Sequence, residues 1–264
     1  PPVILDTTLT RRSAENIAAY VASRGYFTAE EEFSFRLNPE RRTAEVTYTT
    51  IQGEPYRIRS LKYDFRDKLL APVIESDTAQ SLIRVGNIFD ITELDRERER
   101  IADNLNDRGY YNFSVNNIEY RVDTLGGNRE VGIRMIIRRN TTGYNERGEA
   151  IEEDNRIYRI TKINVLPDYD PSEDENARRE AMSDTTYYRG LNIISSGQPN
   201  VRPAVLRAAI PLSPNKLYSA SDVDRTYNEI MSLGYFKSAR IAFEELPRTE
   251  DDTLVVNYAG DGRE

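Results

Sequence analysis

The residues with the most chemical potential in this sequence are carboxylates. Asp168, Asp170, Glu173, Asp174 and Glu175 could gather a hard cation such as Ca²⁺. The glycine of an EF-hand loop is missing and Pro171 interrupts the run, so the segment reads as a solvated acidic loop. Glu97 and Glu99, set among Arg96, Arg98 and Arg100, offer charges for catalysis or for holding a partner. Alternating signs along a helical stretch read first as a charged helix surface. Gly143 to Gly148 copies the glycine spacing of a phosphate loop without the following Lys-Ser/Thr, and reads as a flexible turn. The chain has neither His nor Cys. Ser-His-Asp and Cys-His nucleophiles, His or Cys zinc sites, thiol redox centres and iron–sulfur clusters are thereby excluded. No catalytic residue, metal or cofactor is expected. The enzymatic alternative is a carboxylate-based hydrolase such as a glycosidase. It needs Asp/Glu pairs converging in one pocket, which small serial units do not offer.

The elements around these residues follow from composition and repetition. The 264 residues carry a net charge of −8, with 30% charged and 38% hydrophobic. That length fits about two domains, and the apolar share suits small packed cores better than one large one. Apolar runs are as short as Leu69 to Ala71 or Met135 to Ile137, so no transmembrane helix is expected, and Pro1-Pro2 opens no signal peptide. The acidic balance argues against nucleic acid as a partner.

Gly-Tyr-aromatic occurs three times: Gly25-Tyr26-Phe27, Gly109-Tyr110-Tyr111 and Gly234-Tyr235-Phe236. Each closes a segment with helical spacing, Ser13 to Arg24, Glu93 to Arg108 and Ser221 to Leu233. With glycine left-handed at C′, tyrosine falls at C″ and Val21, Leu105 or Ile230 at C3, the apolar contact that a Schellman ending uses. Tyr56 to Tyr63 aligns with Tyr158 to Val165, and both carry the same one-residue slip in an alternating pattern, predicting a bulged strand. Asp90 with Glu93 and Ser219 with Asp222 resemble capping boxes. Shorter helical stretches lie around Leu69 to Ile83 and Arg202 to Ile210. Two strands joined by turn residues follow each glycine: Glu31 to Leu37 and Thr43 to Ile51, Phe113 to Val122 and Glu130 to Arg138, Ser238 to Glu245 and Thr253 to Tyr258. The expected unit is β-α-α-β-β. Its boundaries are 1–54 for a truncated unit, 55–140 for a full one, 141–155 for a linker and 156–259 for a unit with an insertion near 167–200. Asp77-Thr78-Ala79, Asp123-Thr124-Leu125 and Asp252-Thr253-Leu254 also resemble an O-glycosylation tripeptide of exported bacterial proteins.

These residues resemble POTRA (polypeptide-transport-associated) domains of the BamA/TamA family of outer-membrane assembly proteins. The likeness rests on the strand opening Tyr-x-Ile, the aromatics Phe89 and Tyr218 before the second helix, and the Gly-Tyr-aromatic after it. Pro2-Val3-Ile4 with Asp6, Glu97 to Ile101 before Gly109, and Leu217-Tyr218-Ser219 with Thr226-Tyr227 resemble the TamA-like subfamily. The resemblance implies an α+β fold of tandem POTRA-type units, each a three-stranded mixed sheet covered by two helices, the first incomplete. It implies a periplasmic, membrane-proximal arm attached through the full-length protein to its own C-terminal outer-membrane β-barrel, which these residues do not include. Its partners would be unfolded outer-membrane or surface proteins and accessory assembly subunits. The arm of a two-partner-secretion transporter is a second reading within the same class.

A three-stranded sheet leaves edges whose backbone groups can accept an added strand. The resemblance places one such edge on the strand after each Gly-Tyr-aromatic. The expected client-binding residues are Phe33, Phe35 and Leu37; Phe113, Val115, Ile118 and Tyr120; and Ala239, Ile241 and Phe243, with Gly25, Tyr26, Gly109, Tyr110, Gly234 and Tyr235 as the structural signature. Proline at Val115 or Arg240 is the expected way to block strand addition.

Overall fold

In a computed structural model the described residues are 6–124, 127–169 and 184–246, with the backbone of 253–262. The chain divides into two compact units, Pro1–Ile101 with Ser114–Arg139, and Ala102–Phe113 with Asn140–Glu264.

The first unit begins with helix α1 (Thr7–Ser23). The Asp6 carboxylate caps it, accepting from Thr8 N–H at 2.7 Å and Leu9 N–H at 3.2 Å and so satisfying two orphan donors. The hairpin β1 (Glu30–Asn38) and β2 (Thr43–Ile51) follows. Its register pairs Phe33 with Tyr48, Phe35 with Val46 and Leu37 with Ala44, which gathers these six side chains on one face. A second sheet has the order β3 (Arg57–Phe65), β5 (Glu130–Ile137), β4 (Ile118–Asp123). β3 runs parallel to β5 and β4 antiparallel to it. On β5, Val131, Ile133, Met135 and Ile137 are all buried, each worth about 1.5–3 kcal/mol of burial. Helices α2 (Ala71–Glu75) and α3 (Ile91–Asp107) complete the pattern, α3 contributing buried Leu94 and Ile101, two turns apart on one face.

The second unit repeats this order and extends it. Its sheet reads β11 (Phe236–Glu245), β12 (Thr253–Gly262), β8 (Arg159–Leu166), β10 (Leu191–Ser195), β9 (Asp184–Tyr188). β8, β11 and β12 correspond to β3, β4 and β5, with α4 (Pro203–Ala209) and α5 (Ala220–Ser232) as the helices. The slip read from the sequence is a bulge at the same repeat position in both sheets, at Arg59 and at Thr161, where one residue is skipped in the register.

Several expectations need correction. The segment 113–117 is not strand: Phe113 is 2% exposed in the core, and Val115 lies in a 3₁₀ turn, Val115–Asn117. Asn117 Oδ1, accepting from Ser114 N–H at 2.9 Å, stabilises that turn and delays β4 to Ile118. The segment 141–155, expected as a linker, holds the hairpin β6 (Asn140–Tyr144) and β7 (Ala150–Glu153). Asn145 Oδ1 closes its turn by accepting from Arg147 and Glu149 N–H, both at 2.9 Å, and Gly148 takes a φ of 76°. The stretch 167–200, read as an insertion without periodicity, supplies β9 and β10, so this sheet has five strands rather than three. Of the acidic run, Asp168 accepts from Asn200 Nδ2 at 3.0 Å, and residues 170–175 lie outside the described residues.

Candidate functional site

Two of the three signature glycines, Gly25 and Gly109, end their helices with the full expected pair of bonds, and the third, Gly234, shows one of the two. Tyr26 N–H donates to Val21 O at 3.3 Å and Gly25 N–H to Ala22 O at 3.0 Å; Tyr110 to Leu105 at 3.1 Å and Gly109 to Asn106 at 3.2 Å repeat the pair. Gly234 N–H donates to Met231 O at 3.2 Å. The φ values of 95° at Gly25 and 99° at Gly109 are costly for any residue with a Cβ.

The same turns also do a second job that the sequence did not disclose. Within the first unit, Gly25 O accepts from Tyr56 N–H at 2.8 Å, and Phe27 packs edge-on against Tyr56 with centroids 4.9 Å apart. Within the second unit, Gly109 O accepts from Tyr158 N–H at 2.8 Å, and Tyr111 meets Tyr158, Tyr218 and Phe243 at 5.7, 5.0 and 5.4 Å. Each turn therefore seats the strand that opens the next repeat. Polar contacts reinforce both seats. Arg24 pairs with Asp90, the residue before α3, at 2.9 Å. Asp107 accepts from Ser219 Oγ at 3.0 Å, from Ser221 N–H at 2.8 Å and from Ser221 Oγ. Burial alone raises the Asp107 carboxyl, but the bonds from Ser221, Ser219 and Ala220 outweigh it and hold the group below its ordinary range. Ser219 Oγ also accepts from Asp222 N–H at 3.2 Å, half of the expected capping box. Asn112 Nδ2 donates to the Tyr158 hydroxyl at 2.8 Å, and that hydroxyl donates to Glu245 at 2.9 Å. Burial, and secondarily the neighbouring Tyr111, pushes the Tyr218 phenol up to about 12.

Glu97 is not a surface charge. It is 0% exposed, accepts from Leu82 N–H at 2.9 Å, and receives both Arg100 Nε and Nη2 at 2.9 Å. Arg100 also pairs with Asp77, and its bonds to Glu97 raise the guanidinium further above its ordinary value. Asp77 thus serves a buried network.

The candidate binding elements are the free edges. β4 is the outer strand of its sheet, and β11 the outer strand of the other. Asn117 O accepts from Arg138 N–H at 2.7 Å, which makes 117 and 138 a hydrogen-bonded pair. Alternation then leaves the N–H groups of Tyr120 and Val122 pointing away from β5, while Ile118 N–H donates to Val115 O and closes the 3₁₀ turn. Between α3 and β4 lies a groove of about 540 Å³, lined among others by Ile91, Leu94, Arg98, Tyr120 and Val122. Arg98 Nε and the Tyr120 hydroxyl are buried there without hydrogen-bond partners, and burial raises the Tyr120 phenol. Ile118 is 1% exposed and belongs to the core, and its N–H is taken by Val115 O, so it offers the edge no donor. Ala239, Ile241 and Phe243 on β11 pack against the core of their unit. Phe35 and Leu37 on β1 are 47% and 59% exposed. Phe113 and Val115, off the strand, drop out of the set.

Residues 58–139 match the POTRA family, described as a surface antigen variable number repeat. Outer membrane protein assembly factor BamA of Neorickettsia risticii (strain Illinois) is 24% identical, over 79% of this chain and 34% of that protein. The chain spans about a third of the length of the curated relative it matches. Among solved structures, POTRA domains 3–5 of Haemophilus influenzae BamA superpose with a TM-score of 0.51 at 14% identity, covering 95% of this chain and 79% of that one. BamA of Haemophilus ducreyi lacking POTRA domains 1–3 gives a TM-score of 0.51 at 17% identity, covering 79% and 30%. The α+β repeat is therefore a POTRA fold. Residues 58–139 match a POTRA domain, and the fold of the chain is similar to that of the POTRA regions of these BamA proteins.

Proposed function

We propose that this chain is the periplasmic POTRA arm of an outer-membrane β-barrel assembly or translocation protein. It acts as a non-enzymatic scaffold, built as an incomplete unit at 1–54 and full units at 55–140 and 156–259. It holds unfolded clients or accessory subunits by strand addition at β1, β4 and β11. The observation that carries this reading is the free outer edge of β4, with the backbone donors of Tyr120 and Val122 aimed away from the sheet. The groove beside it supports the reading, because its buried Tyr120 hydroxyl lacks an acceptor that an added chain can provide. Each added main-chain bond is worth about 0.5–1.5 kcal/mol net. A few such bonds, less the cost of ordering the client, give weak and reversible capture suited to handing clients onward.

The test is a proline at Val122, whose N–H is not used by the β4–β5 ladder. Val122→Pro should abolish crosslinking of an unfolded outer-membrane protein to β4 while far-UV circular dichroism stays unchanged. Proline at Val115, within the 3₁₀ turn, does not probe the edge. Undiminished crosslinking at β4 in Val122→Pro would refute the reading.

A further inference from the structure

The two sheets differ at the edge opposite to the one just discussed, and that difference points to a second docking strand. β3 and β8 are repeat equivalents, offset so that Lys62 corresponds to Asn164 and Tyr63 to Val165. Both begin with the same bridge on their outer side, Arg57 to Ile88 and Arg159 to Leu217. The flanking bonds repeat as well: Ile58 N–H to Asn87 O and Ile160 N–H to Lys216 O, each 2.9 Å. Beyond that bridge the two diverge. β8 receives β10 in parallel, with Asn192 opposite Asn164 and Ile193 opposite Val165. Among the described residues, no strand pairs with the corresponding stretch of β3.

The chain's own β10 displays the chemistry this edge position accepts. Leu191 and Ile193, two apart, are 0% exposed and join the core of their unit, while Asn192 faces the other way and donates to Asn164 Oδ1 at 3.2 Å. At the equivalent position β3 carries Lys62, and the register sets Lys62, Arg134 and Arg121 side by side across three strands on one face. Like charges directly opposite one another destabilise a sheet. Arg121 is relieved by Glu119 at 3.0 Å, whereas Lys62 and Arg134 have no ion-pair partner among the described residues. Arg59, Ser60, Lys62, Arg121, Arg134 and Asp123 line a cleft of about 200 Å³ over Gly132. In a chain of net charge −8, this is a local cationic surface beside an open edge.

We propose that the outer edge of β3, over Leu61 to Phe65, binds an extended acidic segment of a partner polypeptide that adds in parallel, as β10 does on β8. Apolar residues two apart face the helix layer, and an aspartate or glutamate between them faces Lys62 and Arg134. This site is independent of client capture on β4.

The test uses the whole chain and photoreactive peptides copying Tyr188–Gly197, one with Asn192→Asp and one with Asn192→Lys. The Asp peptide should crosslink to β3, with a probe before Leu191 marking the Ser60 side and a probe after Ser195 marking the Phe65 side. Lys62→Glu should weaken the Asp peptide and strengthen the Lys peptide, each by up to about fivefold, as an exposed cross-strand charge pair allows. Val122→Pro should change neither result, which separates this proposal from the one for β4. Equal binding of the two peptides, reversed probe order, labelling of β4 instead, or no labelling of β3 would each overturn it.

Discussion

Replacing the signature glycines by alanine separates their two jobs, because the three sites share a backbone conformation but not their surroundings. At Gly234 a Cβ meets nothing within 4 Å, so Gly234→Ala pays only for φ 66°. Left-handed strain of about 1–2 kcal/mol, less about 0.4–1 kcal/mol from a stiffer unfolded chain, leaves a net loss of about 0.5–1 kcal/mol. At Gly109 the Cβ lies 2.8 Å from Ile157 Cγ2, a methyl on a side chain that can rotate. Overpacking there adds about 1 kcal/mol. At Gly25 the Cβ lies 2.4 Å from Phe89 O, a backbone atom held by the bond from Phe89 N–H to Tyr56 O at 2.9 Å. No rotamer relieves that clash, so the addition approaches the upper end of overpacking costs, about 3 kcal/mol. The chain has more than one compact unit, so a single unfolding midpoint is a poor readout. Native-state hydrogen exchange at the amides of Tyr56 and Tyr158, which donate to Gly25 O and Gly109 O, reports each seat separately. Gly25→Ala should deprotect Tyr56 most, Gly109→Ala should deprotect Tyr158 less, and Gly234→Ala should leave both unchanged. Equal protection of the Tyr56 amide in Gly25→Ala and Gly234→Ala would refute the close-approach argument.

Two further perturbations address groups that the fold withdraws from the surface. Glu97→Ala leaves the Leu82 N–H and the Arg100 guanidinium without their shared acceptor and should cost about 2–4 kcal/mol, below the full buried-pair value because Arg100 is partly exposed; chemical denaturation followed by circular dichroism measures it. Asp107 has a carboxyl pKa depressed in the folded state, so its stabilising contribution is fully present above the ordinary carboxyl value and is lost as pH falls through the depressed one. Exchange at Ser221 N–H should therefore accelerate at acid pH relative to its intrinsic rate, and Asp107→Asn should remove that pH dependence.

Much of this protein is written locally. Gly25 and Gly109, the tyrosines after them and the apolar residues five before those tyrosines specify helix endings through bonds spanning a few residues, so they can be read without coordinates. The shared slip after Ile58 and Ile160 is likewise a property of one strand's alternation, and the bulge sits at that slip in both sheets. Phe113 misleads because an apolar residue before a strand matches the strand pattern, while the competing turn depends on the Asn117 side chain, which accepts from Ser114 N–H.

Tertiary structure decided the rest, and the reason lies in which atoms carry the interaction. Strand addition uses backbone N–H and C=O groups that every residue but proline possesses, so nothing in Leu191–Ser195 announces that it seats on β8 or that β3 is left open. Whether a charge is buried depends on what covers it. Glu97 carries the same alternating neighbours as a surface residue, yet Leu82, fifteen positions away, supplies the N–H that makes its burial tolerable. Asp107 holds Ser219 and Ser221 from more than a hundred residues away. Sequence periodicity determined the repeating unit and its helix endings; only the folded chain determined which edges stay open and which charges are spent on holding the repeats in place.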